Sequence, residues 1–534
     1  MEEQVNRKIF DLGDLKIFEW DGENPIRSLD DLDKLENKIS REIRYYSLEA
    51  ILLKIHERSL NEENIEIHFN FVAGMMVKFA VHNCRPFEGW SPLYDEEFVY
   101  FYKLTLEYLL YDHEFENLSG PRDEITSSFL LRKIGNQIRW NIPRHNVLGR
   151  TFFLFDEMVK RNVAPTFIKQ LIEDEFERQF GLSLLDFIKI GFVLYAGSVK
   201  SNGMTRNYFQ TSRSQGISLP SDEIVKICLE LVSADTIKFD KFCNEHKTDN
   251  DFRAYELNPL FEYPIIRMLY GASSKSPEVD KFIAPIPDLV IYKFTTGLYY
   301  KLFNAFLADF PKAFGELFES YVGIVLRWCN PAGTILSEED LTRYLPKYKG
   351  KKPDWIVFCD EGIIIIECKA TKHTQSMYEL GLKAKKLTSI DQVVKGVIQI
   401  NEFMKELPIL CRILKYHHKR VMKIILTFEP LMGLKRGPMR NLVDRNNRRK
   451  RGYDRIWSPL WIWELEEIQP YVTKGANFWN TLEKVLINTQ YEFNNIIYEL
   501  ESETHANYSD GYIYKYENKI FYELTRDTKY LIEN

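Results

Sequence analysis

The N-terminal 95 residues combine helix-like and strand-like hydrophobic patterns. Between 29 and 53, apolar residues recur at helical spacing among charged ones, which predicts a helix. Short alternating or continuous apolar runs are typical of strands instead. Four such runs are present, at 8–10, 15–20, 65–69 and 75–79. We therefore expect residues 1–95 to form a mixed α/β segment.

From 96 to 310 the pattern becomes mainly helical. Long segments have apolar residues at a period near 3.6, as packed helices do. These segments are 97–111, 125–138, 147–159 and 164–195. Polar stretches with Gly and Ser at 197–214 and 272–277 predict loops between them. We expect 96–310 to form a mainly helical recognition or regulatory region.

A third pattern begins at 311 and predicts an α/β domain over 311–470. An amphipathic helix is predicted at 314–327, followed by two apolar strands at 354–358 and 363–368. The intervening Cys359-Asp-Glu-Gly362 has the composition of a tight turn, so the two strands should form a hairpin. The order then continues with a helix and two strands. They are predicted at 390–407, 421–428 and 461–465.

The C-terminal extension, 471–534, is predicted to contain a helix at 478–500 and a hairpin-like segment at 512–524. No internal repeat divides the chain differently. The predicted fold class is therefore α+β and multidomain, with a mixed or mainly helical N-terminal region followed by an α/β domain.

Composition narrows the class of protein. A chain of 534 residues with 45% hydrophobic and 28% charged content is typical of a globular protein of two to four domains. The formal net charge of −6 argues against nucleic-acid binding over the whole surface, so any polyanion site must be local. Seven scattered cysteines without a C-x-x-C pair predict neither a zinc knuckle nor a disulfide framework. With no run of about 18 apolar residues and no apolar leader, we expect no membrane association and a cytoplasmic location.

The candidate chemistry lies at the end of the predicted hairpin. Strand periodicity places Glu367 and Lys369 on one face, directly after four consecutive isoleucines. Burying a carboxylate and an ammonium there is costly unless a metal ion or a partner compensates. Asp354, at the start of the paired strand, would be close enough to join Glu367 around a hard divalent cation such as Mg²⁺ or Mn²⁺. Lys369 could then orient a water or stabilise developing charge, which indicates phosphodiester hydrolysis.

This arrangement resembles the PD-(D/E)XK nuclease superfamily, whose signature corresponds here to Pro353-Asp354 and Glu367-Cys368-Lys369. The resemblance covers about 311–470 and implies a restriction-endonuclease-like fold with a central mixed sheet. It also implies that Asp354, Glu367 and the backbone carbonyl of Cys368 hold the metal, and that Lys369 is the catalytic lysine.

Two more elements are similar to those of the superfamily. Gly315-Glu-Leu-Phe-Glu319 is similar to its G-x-x-x-E helix, and we favour Glu319 over Glu316 as a further metal-binding and catalytic carboxylate. Gln392 is the candidate for the auxiliary glutamine that some branches have on the following helix. Gly396 stands where the Q-x-x-x-Y form of that motif has tyrosine, so the branch and the role of Gln392 stay open.

Basic residues cluster on both sides of the acidic motif, where they could neutralise a polyanion. The candidate nucleic-acid-binding residues are Lys347, Lys349, Lys351, Lys352, Lys372, Arg436, Arg440, Arg448 and Arg449. A single basic stretch is as often a solvated face as a binding site, but several around one motif favour binding.

We therefore expect a magnesium-dependent DNA endonuclease, and the resemblance suggests prokaryotic restriction or antiviral defence. A repair or recombination nuclease would share every catalytic residue. Two other classes stay open: a subunit gated by a partner protein that docks on the helical region, and a non-catalytic nucleic-acid-binding protein with the nuclease fold. RNA is not excluded as the substrate, and a coordinated double-strand cut would need a homodimer. In the structural alternative, Asp354 caps a turn and Glu367 and Lys369 form a partly exposed ion pair of little value to stability.

Overall fold

The computed structural model describes residues 7–524 with internal gaps. The gaps are 12–15, 21–27, 62–68, 85–92, 113–121, 130, 133–134, 141–146, 206, 249, 270–279, 308, 331–332, 385–386, 418–419, 432–433, 436–437 and 488–489. The predicted loop at 272–277 and most of the predicted strand at 65–69 lie outside the described residues.

A mixed five-stranded sheet organises the C-terminal half. Its strands are β1 (Thr334–Ser337), β2 (Trp355–Cys359), β3 (Gly362–Lys369), β4 (Arg420–Thr427) and β5 (Ser458–Trp461). Their order is β5-β4-β3-β2-β1. The pairs β1–β2 and β2–β3 are antiparallel, whereas β3, β4 and β5 are mutually parallel. The predicted hairpin and its two-residue turn are confirmed.

Two smaller sheets lie in the N-terminal half. Arg7–Asp11 pairs antiparallel with Lys16–Trp20. A four-stranded sheet has the order Met204–Thr205, Asp280–Ile283, Ile265–Leu269, Ser233–Ala234. The fold is thus mixed α+β, as predicted.

Four helices surround the candidate site. They are α1 (Leu298–Ala305), α2 (Phe310–Cys329), α3 (Glu338–Tyr344) and α4 (Thr388–Phe403). The helices that precede them are Leu29–Ile43, Leu48–Ser59, Phe69–Asn83, Asp95–Leu110, Arg122–Phe129, Gly135–Trp140, Val147–Phe152, Met158–Lys160, Thr166–Gln170, Phe176–Phe180, Leu184–Lys200, Asn207–Ser214, Asp222–Val232, Thr236–Glu245 and Pro287–Phe294. Later helices are Gln375–Leu380, Leu407–Leu414, Pro438–Asn447, Ile462–Thr473, Phe478–Ile487, Gln490–Thr504 and Tyr512–Leu524. One π-helical turn continues each of two helices, at Phe153–Glu157 and Leu171–Glu175.

Several predicted elements are wrong in type. The apolar run at 75–79 belongs to the helix Phe69–Asn83, whose residues are buried on nearly every side. The segment 512–524 is a helix. Of the predicted strand at 461–465, all but the first residue belongs to the helix Ile462–Thr473. Much of the predicted loop at 197–214 is helical as well. Continuous burial explains the first error, because a run that is apolar all round has no period that separates helix from strand.

The hydrophobic cores do not follow the predicted domain limits. The largest core joins buried residues of 147–329 to those of 355–516, so it crosses both 310 and 470. A second core lies among the N-terminal helices, and a third lies between the central sheet and α4. The four-segment division is still a prediction, but packing between its segments is extensive.

Among the described residues, no single helix has the length and apolar composition to cross a membrane. One bent pair of segments, Thr166–Phe180 and Leu184–Lys200, meets those two criteria jointly with a 71° bend.

A buried ion pair links the helix Val147–Phe152 to the helix Ile462–Thr473. Arg150 donates to both carboxylate oxygens of Glu466, at 2.7 and 2.8 Å. The hydroxyl of Tyr321 on α2 donates to the same carboxylate at 2.7 Å. All three side chains are buried, so loss of one charged partner would leave an uncompensated ion in the interior.

We predict that Arg150→Met lowers the free energy of unfolding by about 3 kcal/mol or more, because it leaves the Glu466 carboxylate buried without its cation. Urea denaturation followed by circular dichroism measures this. Arg178→Met removes an exposed ion pair with Asp174 and should leave the unfolding curve unchanged. Equal stability of the two variants would contradict the prediction.

Candidate active site

The β2–β3 hairpin positions the two central acids. Trp355 of β2 is paired with Ile366 of β3. Asp354 and Glu367 are the next residues on the two strands, so they lie on neighbouring strands at the open end of the hairpin. The Asp354 carboxylate accepts a 2.6 Å hydrogen bond from the backbone N–H of Cys368, which holds it against β3. Ligation by the carbonyl of Cys368 is still a prediction.

Helix α2 brings Glu319 to the same end of the sheet. The indole N–H of Trp355 donates to the backbone carbonyl of Glu319 at 3.1 Å. Gly323, one turn further along, leaves room for that indole ring, since a Cβ there would lie 2.2 Å from it. Glu316 is exposed and lies 3.9 Å from Lys312 on the outer side of the helix. The preference for Glu319 over Glu316 therefore agrees with the packing of α2.

Glu338 is an additional acid that the sequence analysis missed. It is the first residue of α3, where Ser337 forms a capping box with Asp340. Its backbone N–H donates to the carbonyl of Asp354 at 3.1 Å. Carboxylate oxygens of Glu319, Glu338 and Asp354 all lie within 4.8 Å of one another. The S-x-x-D capping signal predicts the start of α3. Strand β1, however, was not predicted, and it is the pairing of β1 with β2 that brings Glu338 beside Asp354.

Glu367 is held differently from the other acids. It is 1% exposed and accepts hydrogen bonds from Lys369 at 2.5 Å and from the amide of Gln399 at 2.8 Å. Gln399 also donates to the carbonyl of Lys352 at 2.6 Å. On the same helix, a Cβ at Gly396 would lie 3.1 Å from the Glu367 side chain and 3.2 Å from that of Lys369. The backbone of α4 thus forms a wall of the site.

Gln399, and not the predicted Gln392, donates a hydrogen bond to the Glu367 carboxylate. Seven residues separate them, which is two helical turns, so both lie on one side of α4. Gln392 lines a cleft beside Lys369. The hydrophobic pattern could predict that face of the helix but not which of its two glutamines reaches the carboxylate.

Burial and mutual repulsion shift the carboxyl groups toward their neutral forms. Burial, then the charge of Asp354, raises the pKa of Glu319 to about 7 and that of Glu367 to about 8. Burial also raises the pKa of Asp354 to about 6, although Lys369 and the Cys368 N–H act in the opposite direction. Burial lowers the pKa of the Lys369 ammonium. Its interactions with the Glu367 carboxylate raise that pKa, and the net shift is upward.

These carboxylates fit a hard divalent cation. Three oxygen donors from three different elements converge, and their repulsion is the cost that a cation would remove. No thiol or imidazole belongs to this group, so the donor set is of the kind that suits Mg²⁺ or Mn²⁺.

The predicted nucleic-acid-binding residues separate into two groups. Five are exposed, namely Lys347, Lys349 and Lys351 before β2, and Arg448 and Arg449 after the helix Pro438–Asn447. Lys352 is buried except for a small fraction, and its ammonium lies 5.6 Å from the centre of the Tyr348 ring. Arg436 lies outside the described residues.

Lys372 and Arg440 have internal partners. Lys372 is buried and donates to Glu429 at 2.5 Å and to the carbonyl of Thr296 at 3.1 Å. Arg440 donates to Asp444 at 3.1 Å, and its guanidinium stacks 3.7 Å from the centre of the Trp457 ring. Both side chains therefore stabilise the fold through internal contacts. The five exposed residues are better placed to contact phosphates.

We predict that Asp354→Asn stabilises the metal-free protein at high pH. A carboxyl group whose pKa is raised by folding contributes its full stability below its unfolded pKa and loses it as the pH rises through its folded value, here about 6. In EDTA, the variant should exceed wild type by about 1–2 kcal/mol at pH 8 and by nothing at pH 4. Urea denaturation at both pH values measures the difference.

The same variant tests the cation site. Mg²⁺ should stabilise wild type at pH 8 and have a much smaller effect on Asp354→Asn, because one of three converging ligands has lost its charge. Glu316→Gln, on the exposed side of α2, should behave as wild type. A variant that Mg²⁺ stabilises as strongly as wild type would show that Asp354 is no ligand.

No protein-family model, curated protein or solved structure matches this chain. Its fold is therefore described by its own topology, a mixed five-stranded sheet within a mostly helical α+β chain. The features that bear on function are the acidic motif on β2 and β3 and the side chains gathered around it.

Proposed function

We propose that the chain is a metal-dependent nuclease that hydrolyses phosphodiester bonds. The observation behind this proposal is the convergence of Glu319, Glu338 and Asp354 beside the buried Glu367–Lys369 pair. A purely structural ion pair would need only Glu367 and Lys369. Burial and repulsion raise the pKa of Glu319 and of Asp354, so these two carboxyl groups are costly to the fold, and such cost is typical of functional sites.

The topology supports a restriction-endonuclease-like domain as part of this proposal. The acidic motif lies on the antiparallel β2–β3 hairpin. Strand β3 also pairs with the parallel strand β4, and helices pack on both faces of the sheet. Helix α2 supplies the upstream glutamate and α4 the glutamine. These are the elements that the sequence resemblance implies.

Glu319, Glu338 and Asp354 would hold the cation, and Glu367 would complete its shell once Lys369 engages the substrate. When bound, a divalent cation polarises a phosphate oxygen and lowers the pKa of water. Lys369 stays protonated, so its ammonium can stabilise negative charge that develops on the phosphate. Gln399 orients Glu367 by donating to its second oxygen.

The exposed lysines before β2 would guide a polyanion to this acidic site. Lys347, Lys349 and Lys351 precede Asp354 by only a few residues and are all exposed. Their charge would offset the repulsion between phosphates and carboxylates. DNA is the substrate class we propose first, and restriction or antiviral defence is the context that the resemblance suggests.

We predict that Asp354→Ala and Lys369→Ala each lower DNA cleavage about a hundredfold or more, because each removes a charge that acts on the reacting phosphate. Cleavage of supercoiled plasmid and of single-stranded DNA in Mg²⁺, Mn²⁺ or EDTA measures this. Metal-independent cutting, or equal cutting by the variants, would contradict the assignment. If well-folded wild type cuts no DNA or RNA, the partner-gated and non-catalytic alternatives replace the proposal.

Glu338 provides a sharper test, because its neighbour Glu339 is a matched control. Glu338→Gln should raise the Mg²⁺ concentration needed for half-maximal cleavage by about tenfold. Glu339 is exposed and lies 3.9 Å from Arg343, so Glu339→Gln should leave the Mg²⁺ dependence unchanged. Identical Mg²⁺ curves for the two variants would exclude Glu338 from the metal site.

A further inference from the structure

A cleft of about 730 Å³ opens beside Lys369, between the sheet and the helical region. Its volume lies within the range of pockets that hold small organic ligands, about 300–1,000 Å³. Its lining includes Cys368 and Lys369 of β3, and residues of α1, among them Tyr299 and Phe303, form a wall of it. The cleft therefore continues directly from the candidate active site.

Aromatic rings cover the α1 wall. Tyr299 and Phe303 stack on each other one helical turn apart, with ring centres 6.1 Å apart and planes inclined by 22°. Phe303 is 36% exposed and is the outer member of the pair. A ring that is stacked on one side and open on the other can accept one more planar group. Tyr300, next along α1, also lines the cleft.

An arginine on the helix Gly135–Trp140 supplies a cation, and its side chain is half-buried. Arg139 lines the cleft, and its guanidinium lies 3.9 Å from the centre of the Phe261 ring. It donates to the side-chain oxygen of Gln375. Its Nε atom is shielded from solvent and has no hydrogen-bond partner among the described residues. Glu379 accepts from Gln375 at 2.7 Å and so lies on the far side of that amide. An anion could therefore gain this charge without displacing a carboxylate.

Gly315 keeps the route from the carboxylates to the cleft open. It lies one turn before Glu319 on α2, lines the cleft, and a Cβ added there would meet no atom within 4 Å. A chain bound at the carboxylates could pass this point into the aromatic cleft. A larger side chain at 315 would close that passage without a clash at its Cβ.

We propose that this cleft binds an unpaired nucleotide of the substrate, with its base on Phe303 and a phosphate at Arg139. The proposal rests on the proposed nuclease function and specifies its substrate class as nucleic acid with a single-stranded end or segment. In a duplex both faces of each base are covered by neighbouring bases, so stacking on Phe303 requires an unpaired one. The arrangement supplies an aromatic platform and a cation for one nucleotide in a cleft that Lys369 also lines.

The test is binding of two probes by the full chain, measured by fluorescence anisotropy with Ca²⁺ in place of Mg²⁺. The probes are a fluorescein-labelled single-stranded decamer and a blunt hairpin duplex with the same label. Wild type should bind the decamer at least about tenfold more tightly. Phe303→Ala and Gly315→Phe should each weaken decamer binding about tenfold and leave duplex binding unchanged.

Two matched controls accompany these variants. Tyr498→Ala removes an exposed ring outside the cleft, and Gly315→Ala adds only a methyl group at the open passage. Both should bind the decamer as wild type does. Because Phe303 is exposed and Gly315 is uncrowded, these substitutions are expected to fold, which melting curves verify.

Either of two results would overturn the proposal: no preference of wild type for the decamer, or unchanged decamer binding by both Phe303→Ala and Gly315→Phe. Plasmid cleavage in Mg²⁺ separates this failure from failure of the proposed function. Cleavage without a single-strand preference keeps the nuclease and removes the cleft proposal. Specific decamer binding without any cleavage keeps the cleft as a binding site and removes the nuclease proposal.

Discussion

The constraint on which the site depends is the burial of β3. Four isoleucines, Ile363 to Ile366, fill both faces of this central strand. Its backbone position is therefore fixed by a hydrophobic core on each side of the sheet. Glu367 follows without any break and is buried almost as deeply. A carboxylate in that position must be compensated, and Lys369 and Gln399 do so by donating hydrogen bonds to it. The nearby acids Asp354 and Glu319 add repulsion, which a bound cation would remove.

The acids around Glu367 come from elements that are far apart in sequence. Asp354 is held by β3, Glu338 by the start of α3, and Glu319 by a helix that docks through the Trp355 indole. The Asp354 carboxylate is thus held by a backbone N–H of β3, whereas Glu338 and Glu319 are anchored through hydrogen bonds of their backbone atoms. Sites fixed in this way need little reorganisation when charge develops, which is the condition for electrostatic catalysis.

The sequence predicted the local parts of this arrangement well. The turn at Cys359 to Gly362 and the alternation along β3 are short-range signals, and the hairpin agrees with them. Predictions from the sequence failed where burial or tertiary packing determines the secondary structure or the position of a side chain. Tyr512–Leu524 alternates aromatic and polar residues as a strand does, yet Ile513 and Tyr516 are three apart and both buried, as on one face of a helix. Glu338 and Gln399 could not be found because each reaches the site through pairing or docking across distant segments.

The close approach of α4 to β3 restricts which changes of length the chain can accept there. Gly396 and Gln399 are three residues apart, so they face the site together, one supplying space and the other a hydrogen bond. One inserted residue between them would rotate everything beyond it by about 100° around the helix axis. Gln399 would then leave Glu367, and a side chain would replace it against the sheet. Relatives of this protein should therefore vary in the residues of this helix while keeping that three-residue spacing constant.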